Sequence, residues 1–299
     1  MGLIGRDRQY LPFVMAALAA ALWGTIGIFI EQLSVSGFST IDIVAFRVSV
    51  SAVLLYGYLR LRNSALLRIS LNDLYLFFGT GVLSILFFNW SYFTAISETS
   101  LSVAVVLLYT GPAFVVVMSR IFFKEQITKN KQIALLATLV GIVLVSELFP
   151  DSGKISTYGL LVGIGAGFGY ALYSICSKLA LKKYRPLTII FYTFSTATVF
   201  ILPFTNIISI DTAEKLSDPL TLSTVFGLAL FPTVIAYLLY TESLKKIEAG
   251  KASITAMTEP VAATLIGIFF FGEVLSIFQM IGIVLVLLSV LMIQKKRLR

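Results

Sequence analysis

Residues 254–271 read ITAMTEPVAATLIGIFFF, an apolar run that is interrupted near its middle by Glu259. A charged side chain at the centre of a membrane helix costs roughly 2.5–3.5 kcal/mol on insertion scales, so it is rare there without a role or a partner. Pro260 has no backbone N–H and clashes with the carbonyl four residues before it, which bends a helix. The stretch therefore predicts a bent membrane helix that carries a carboxylate.

The composition places the whole chain in the membrane class. Of its 299 residues, 58% are hydrophobic and 13% are charged, and the mean hydropathy is +0.95. Soluble domains are near half apolar and a quarter charged. The net charge of +8 is carried by short basic clusters between apolar runs. This placement predicts a lipid bilayer as the surrounding partner and no nucleic acid.

Apolar runs of about 18–22 residues predict ten membrane helices. The predicted spans are Leu11–Leu33, Ile41–Leu61, Leu74–Ala95, Leu101–Phe123, Ile133–Phe149, Tyr158–Leu179, Leu187–Ile210, Leu220–Leu244, Ala252–Phe271 and Leu275–Ile293. Lys and Arg fall almost entirely in alternate connections, and the opposite connections hold only Lys154 and Lys215. By the positive-inside rule, both termini are cytoplasmic. The predicted fold class is an all-α polytopic membrane protein.

The second half of the chain repeats the first at an offset of 148 residues. The identical residues in the first half are Tyr92, Ala104, Thr110, Pro112, Phe122, Phe123, Glu125 and Ile133. They match Tyr240, Ala252, Thr258, Pro260, Phe270, Phe271, Glu273 and Ile281. The predicted repeats are residues 1–150 and 151–299. Each has five helices, an odd number, so they are expected to be inverted in the membrane. Inverted repeats are typical of secondary transporters.

Several classes of protein are disfavoured by what the sequence lacks. It has no histidine, the commonest general base and metal ligand, and its one cysteine, Cys176, lies in an apolar run. No phosphate-binding loop for ATP is present. We therefore predict no enzyme activity, cofactor, metal or primary pump, with a membrane-embedded transferase as the alternative from a different class.

Short motifs along the chain resemble the drug/metabolite transporter superfamily, EamA type. They are Ala21-Leu22-Trp23-Gly24, Arg47, Tyr109-Thr110-Gly111-Pro112, Glu125, Thr258-Glu259-Pro260 and Glu273. The resemblance covers essentially the whole chain. It implies ten helices in two inverted repeats around a central cavity, and transport of small metabolites such as amino acids, amines or sugars.

Glu259 is the first candidate for the substrate site, as a proton carrier or as the counter-ion of a cationic substrate. Its alternative is a structural carboxylate that is capped by Thr258 or paired with Arg47. For Arg47, an ion pair with Asp42 or a snorkelling side chain is favoured over an anchor for a substrate carboxylate.

Aromatic residues concentrate where the cavity is expected, and an aromatic cage binds an ammonium group by cation–π attraction. The set is Trp23, Phe87, Phe88, Trp90, Tyr92, Tyr109, Tyr170, Tyr173, Tyr237 and Tyr240. Of these, Trp23, Tyr109, Tyr170 and Tyr237 are the predicted substrate residues, whereas the repeated Tyr92 and Tyr240 indicate packing or gating. Asn89 is predicted to bond either substrate or a neighbouring helix.

Residues that the two halves share are given mechanical roles. Pro112 and Pro260 are predicted hinges, at equivalent bends in the fourth and ninth helices. Glu125 and Glu273 are interpreted as helix-start residues, each at the positive end of the following helix.

The sequence thus predicts a secondary transporter that moves an amino acid or amine across a bacterial-type plasma (inner) membrane by alternating access. Proton coupling through Glu259 and a monomeric or homodimeric state are left open. The alternative substrate is a nucleotide sugar or a lipid-linked sugar, which would call for more basic residues in the cavity than Arg47.

Overall fold

The structure is a computed structural model that describes residues 3–145, 156–271 and 276–294, in which all regular structure is helical. Eight of the helical segments in these ranges are long and apolar enough to cross a membrane. They are Tyr10–Val35, Thr40–Arg62, Leu71–Glu98, Val103–Phe123, Thr157–Ala180, Pro186–Phe204, Pro219–Lys246 and Ile277–Gln294. The chain is therefore an all-α, multi-pass membrane protein.

Several spans contain breaks, so the helices outnumber the spans. The first half of the chain forms α1 (Leu3–Gly24), α2 (Ile26–Val35), α3 (Thr40–Arg62), α4 (Leu74–Phe78), α5 (Phe87–Glu98), α6 (Leu101–Leu108), α7 (Gly111–Phe123) and α8 (Lys129–Val145). The second half forms α9 (Thr157–Ala180), α10 (Pro186–Ile201), α11 (Ile210–Lys215), α12 (Pro219–Ala229), α13 (Ala236–Lys246), α14 (Ala249–Ala256), α15 (Glu259–Phe271) and α16 (Ile277–Gln294). Short 3₁₀ turns cover Ser64–Leu67, Leu71–Asp73 and Leu202–Phe204.

The end of the predicted seventh span is wrong. Its helix stops at Ile201, one 3₁₀ turn reaches Phe204, and Ile210 begins the separate helix α11. Pro203 lacks the N–H that a continuing helix needs. The Ser209 hydroxyl then accepts the backbone N–H of Thr212 at 3.2 Å, which starts a new helix. The predicted fifth span, Ile133–Phe149, ends outside the described residues, which stop at residue 145 in this part of the chain. Glu273 also lies outside the described residues.

The predicted spans Leu101–Phe123 and Ala252–Phe271 are interrupted at equivalent places, two residues before Pro112 and Pro260. The Thr110 hydroxyl donates to the carbonyl of Leu107 at 2.6 Å, and the Thr258 hydroxyl donates to the carbonyl of Thr255 at 3.0 Å. Each proline is the second residue of the helix that follows, where its missing N–H has no intrahelical partner to lose.

Two wide π-helical segments were not predicted. They cover Gly79–Leu86 in the span Leu71–Glu98 and Leu230–Ile235 in the span Pro219–Lys246. In the second, the Thr233 hydroxyl donates to the carbonyl of Leu228, five residues back, at 2.7 Å. Such segments are rare and are frequent at functional sites. Each lies immediately before a helix that contributes aromatic residues to the cavity described below, three from α5 and two from α13.

The two halves of the chain pack reciprocally. Helix α1 packs on α13, α14 and α15, while α9 packs on α5, α6 and α7. Small residues permit these approaches: a Cβ on Gly24 would lie 2.9 Å from the backbone nitrogen of Ala263, and one on Gly167 would lie 2.8 Å from the carbonyl oxygen of Leu107. This packing brings α1, α9 and the interrupted spans around one central space.

Candidate functional site

A cavity of about 460 Å³ lies between the two halves. It is bordered by α1, α2, α3, the third span, α6, α9, α13 and α15. The six residues predicted to contact substrate all line it: Trp23, Asn89, Tyr109, Tyr170, Tyr237 and Glu259. Pro260 also lines the cavity, whereas Pro112 is buried in the packing of α7 and does not. The contacts of these residues with substrate stay predictions.

Glu259 is half-buried and lies in the first turn of α15. The positive end of that helix favours a carboxylate at this position. The Thr258 hydroxyl does not cap the Glu259 side chain, because it donates to the Thr255 carbonyl. Within the described residues, no cationic side chain forms an ion pair with Glu259 within 4.0 Å. Its carboxylate therefore faces a cavity in which a ligand cation could be its nearest partner.

Arg47 also lines the cavity, and the predicted ion pair with Asp42 is wrong. The Asp42 carboxylate accepts hydrogen bonds from the Ser39 hydroxyl and, at 2.9 Å, from the backbone N–H of Asn206. Ser39 caps α3 by accepting the backbone N–H of Asp42, and the Asp42 carboxylate holds the Ser39 hydroxyl and ties the start of the helix to the loop after α10. The Arg47 Nε instead donates to the Thr233 hydroxyl at 3.0 Å.

Tyr237 is the centre of an aromatic cluster on one side of the cavity. Its ring lies 5.2 Å from that of Trp23 and 4.8 Å from that of Tyr173, both edge to face. The Arg47 guanidinium carbon lies 5.7 Å from the Tyr237 ring centroid. Edge-to-face pairs hold the rings rigidly and add to the stability of the packing. Tyr237 thus joins the cationic and aromatic parts of the cavity.

The hydroxyl groups of the cavity tyrosines fall into two classes. Tyr173 is hydrogen-bonded to Thr241 and Tyr240 is hydrogen-bonded to Ser174, each at 2.7 Å, so these two hydroxyls have protein partners. For Tyr109 and Tyr170, the described part of the chain supplies no hydrogen-bond partner to the hydroxyl. The Tyr92 hydroxyl likewise has no partner among the described residues, so Tyr92, Tyr109 and Tyr170 have hydroxyl groups that are available to a ligand.

Asn89 bonds its own helix rather than a neighbouring one. Its side-chain amide donates to the carbonyl of Ile85 at 2.7 Å, at the end of the first π-helical segment. The side chain is nearly buried and lines the cavity. This bond fixes the amide at the point where the third span returns to α-helical geometry.

The structure also separates residues that the aromatic pattern had grouped. Phe88, Tyr92, Tyr173 and Tyr240 line the cavity, but Phe87 does not, and Trp90 has 54% of its surface exposed on the outside. Sequence reasoning missed Ser84 and Thr264, which line the cavity. Thr264 lies between one and two helical turns after Glu259, which the sequence could have signalled, whereas Ser84 lies within the first π-helical segment, which only the structure shows.

The repeat leaves room for a carboxylate in only one half. Gly111 is the counterpart of Glu259, and a Cβ there would lie 2.7 Å from the Tyr170 ring and 3.1 Å from the carbonyl oxygen of Gly167. Tyr170 occupies the space that a side chain at residue 111 would need. The cavity is therefore chemically asymmetric although its helices repeat.

A second charged cluster lies at the ends of α7, α9 and α14, away from the cavity. Glu125 accepts the backbone N–H groups of Ala249 at 2.8 Å and Gly250 at 3.3 Å, and pairs with Lys178 at 3.3 Å and Lys131 at 3.6 Å. The prediction that Glu125 starts its own helix is wrong, because α8 begins four residues later, at Lys129. The carboxylate instead caps α14 of the other half.

Opposing effects act on the pKa of the Glu125 carboxyl. Burial raises the pKa, whereas the Ala249 N–H, the Lys178 and Lys131 ammonium groups and the Gly250 N–H lower it. The net pKa lies below the ordinary value for glutamate. Glu125 is therefore a carboxylate that the fold stabilises in its ionised form.

Metal-binding clusters of His, Cys, Asp and Glu are not found within residues 3–145, 156–271 and 276–294. The chemistry of the cavity is that of one carboxylate, one guanidinium, several aromatic rings and a few hydroxyl and amide groups. Such a set binds and orients a polar organic molecule.

Comparisons with known proteins agree with this architecture. The model of the EamA-like transporter family matches the chain twice, at residues 11–147 and 157–294. The chain is 29% identical to an uncharacterized transporter of Archaeoglobus fulgidus over 278 residues, which cover 92% of this chain and 93% of the relative. It is 28% identical to the uncharacterized transporter YwfM of Bacillus subtilis, covering 95% and 93%.

Two further likenesses concern membrane location and fold. The uncharacterized inner membrane transporter YicL of Salmonella typhimurium is 24% identical, with 92% of each chain covered. A solved crystal structure superposes with a TM-score of 0.77 at 16% identity, covering 94% of this chain and 96% of the other. At that identity the likeness shows the fold alone.

Proposed function

Because the chain belongs to the EamA-like transporter family, we propose that it is a secondary transporter that moves an amino acid or amine across a bacterial inner membrane by alternating access. The observation that carries the proposal is the cavity between the two halves, where Glu259 and Arg47 face the same space without forming an ion pair with each other. Charged groups inside a membrane protein are costly, and they mark substrate or ion pathways.

Alternating access requires the cavity to be closed on one side at a time. By the positive-inside rule, the Glu125 cluster lies at the cytoplasmic ends of the helices, opposite the ends where Arg47 and Tyr92 lie. The cluster joins α14 to residues of the first half. In our proposal these contacts close the cytoplasmic side, and the breaks before Pro112 and Pro260 are the hinges that let the spans rearrange.

A nucleotide sugar or a lipid-linked sugar fits the cavity less well. A diphosphate carries at least two negative charges, and phosphate sites use several Arg or Lys side chains or helix N-termini. Among the described residues, Arg47 is the only basic side chain that lines this cavity, and Glu259 would repel a phosphate. The charge of the cavity therefore favours an ammonium-bearing substrate.

Glu259→Gln is expected to weaken binding of ammonium-bearing ligands about tenfold to hundredfold, since a hydrogen bond to a charged group contributes about 1.5–3 kcal/mol. The measurement is the thermal stabilisation of the purified protein by a panel of amino acids, amines and nucleotide sugars, because a ligand that binds only the folded state raises the melting temperature.

Glu98→Gln is the matched control, because Glu98 is exposed and lies outside the cavity. It should leave every ligand response unchanged. Stabilisation of the wild type by nucleotide sugars alone would overturn the proposed substrate class, and an unchanged response in Glu259→Gln would make Glu259 a structural residue.

Proton coupling through Glu259 gives a separate expectation in proteoliposomes. An imposed pH gradient should drive accumulation of the substrate by the wild type, because a carboxylate in the cavity can carry the proton. Glu259→Gln should retain exchange of labelled for unlabelled substrate but lose accumulation. If the wild type accumulates substrate to the same level with and without the pH gradient, the coupling ion is not a proton.

A further inference from the structure

Thr233 lies in the π-helical segment Leu230–Ile235, and its side chain is fully buried. Its hydroxyl donates to the carbonyl of Leu228 at 2.7 Å. A threonine hydroxyl has one hydrogen and two lone pairs. Because the hydrogen is used within the wide turn, the oxygen is left as an acceptor, and it accepts from Arg47 Nε at 3.0 Å.

This bond fixes one edge of the Arg47 guanidinium. The Tyr237 ring lies 5.7 Å from the guanidinium carbon and limits its movement on that side. Among the described residues, no carboxylate lies within ion-pair distance of Arg47. Asp42, the nearest candidate along the chain, is bonded to Ser39 and Asn206 instead. The hydrogen bond to Thr233 commits the Arg47 Nε to the protein, while the side chain lines the cavity.

A guanidinium held in this way presents the planar fork that matches a carboxylate with two parallel hydrogen bonds. We propose that Arg47 binds the carboxylate of the substrate and that Thr233 is the residue that positions it. Glu259, on the opposite half of the chain, binds the ammonium group. This inference rests on the proposed function and narrows its substrate from an amino acid or amine to a zwitterionic amino acid.

The experiment compares ligands that differ only in the carboxyl group. The probes are the standard L-amino acids, the amide of each one and the amine that remains after its decarboxylation. The wild type should bind an amino acid about tenfold to hundredfold more tightly than its amide, the range for hydrogen bonds to a charged group. Affinity is measured by isothermal calorimetry on the full chain in detergent.

Arg47→Gln should abolish the preference for the amino acid over the amide while the amine is still bound. Thr233→Val removes the acceptor at nearly constant volume and should reduce that preference several-fold. Thr233→Ser keeps the hydroxyl and should show the same preference for the amino acid as the wild type. Because the ratio of two ligands is measured within one variant, a change in the stability of Thr233→Val does not imitate the result.

Each alternative outcome has a distinct meaning. If the wild type binds amines but no amino acid, or if Arg47→Gln keeps the full preference for the carboxylate, the role of Arg47 is overturned while the transport proposal stands. If Thr233→Val keeps the preference, Thr233 does not position Arg47. If no amino acid, amide or amine binds the wild type, the proposed function itself fails.

Discussion

Glu125→Ala is expected to lower the free energy of unfolding by about 3–5 kcal/mol, the range for removing one partner of a buried ion pair. The substitution leaves Lys131, only 2% exposed, without one of its two carboxylate partners. It also leaves the first two N–H groups of α14, those of Ala249 and Gly250, without their acceptor. The measurement is reversible unfolding in mixed micelles.

Glu248→Ala is the matched control at the same lysine. Glu248 lies closer to the Lys131 ammonium, at 2.9 Å against 3.6 Å for Glu125, but its side chain is 40% exposed. Exposed ion pairs contribute about 0–1 kcal/mol because water and salt screen them. Equal losses in the two variants would show that burial and the capping of α14 are not the source of the stability.

The difference in stability between the wild type and Glu125→Ala should depend on pH, because the pKa of Glu125 is lowered in the folded state. In the unfolded chain its carboxyl titrates near the ordinary value of about 4.3. The folded pKa is lower, so the folded state binds fewer protons in this range and the stabilisation is complete above the unfolded pKa. The gap between the wild type and Glu125→Ala should therefore shrink as the pH falls below about 4.3. An unchanged gap at lower pH would contradict the assignment.

Much of the helical layout could be predicted because lipid imposes length and polarity on each span. The spans around Trp23, Arg47 and Tyr173 follow directly from apolar runs between basic connections. The breaks before Pro112 and Pro260 were also predictable, since proline cannot continue a helix from the preceding turns. The π-helical segments were not, because nothing in residues 79–86 distinguishes an i+5 from an i+4 hydrogen bond.

The sequence could predict which residues line the cavity where a polar side chain lies within an apolar span, because lipid cannot satisfy its polar groups. Glu259 and Asn89 are polar within apolar spans, and Tyr109 and Tyr170 have hydroxyl groups that lipid cannot satisfy. Trp90 shows the limit of this reasoning, because an aromatic ring is equally stable against lipid, and there it is exposed.

Partners that are distant along the chain could not be predicted from one sequence. Arg47 and Thr233 are 186 residues apart, and they meet where α3 lies beside the π-helical segment Leu230–Ile235. Local rules suggested Asp42 as the partner of Arg47 and the following helix as the partner of Glu125. In both cases a residue of the other half supplies the contact.

Gly282→Ala is expected to destabilise the fold by about 3 kcal/mol, the upper part of the usual range for overpacking. Gly282 lies where α16 crosses α8, and a Cβ there would lie 2.5 Å from the carbonyl oxygen of Gly141. The same atom would lie 2.8 Å from the backbone nitrogen of Val145. Because backbone atoms of another helix cannot rotate away as a side chain can, the two helices must separate.

Separation of α8 and α16 would also stretch the bond between the Thr138 and Ser289 hydroxyls, which are 2.6 Å apart. In lipid, close packing and such bonds are what hold helices together, since the hydrophobic effect does not favour one apolar contact over another. The loss of stability in Gly282→Ala should therefore appear as a lower melting temperature. It should also appear as faster proteolysis in the segments that connect α8 and α16 to the rest of the chain.

Gly57→Ala is the control, since Gly57 is also a glycine within a span but a Cβ there would meet nothing within 4 Å. Alanine costs less backbone entropy in a helix than glycine, by roughly 0.5–1 kcal/mol, so this variant should be as stable as the wild type or slightly more so. Equal stability of Gly282→Ala and Gly57→Ala would mean that α8 and α16 do not approach as closely as the structure shows. A loss confined to Gly282→Ala would show that the close approach of the α8 and α16 backbones at Gly141 and Gly282 stabilises the fold.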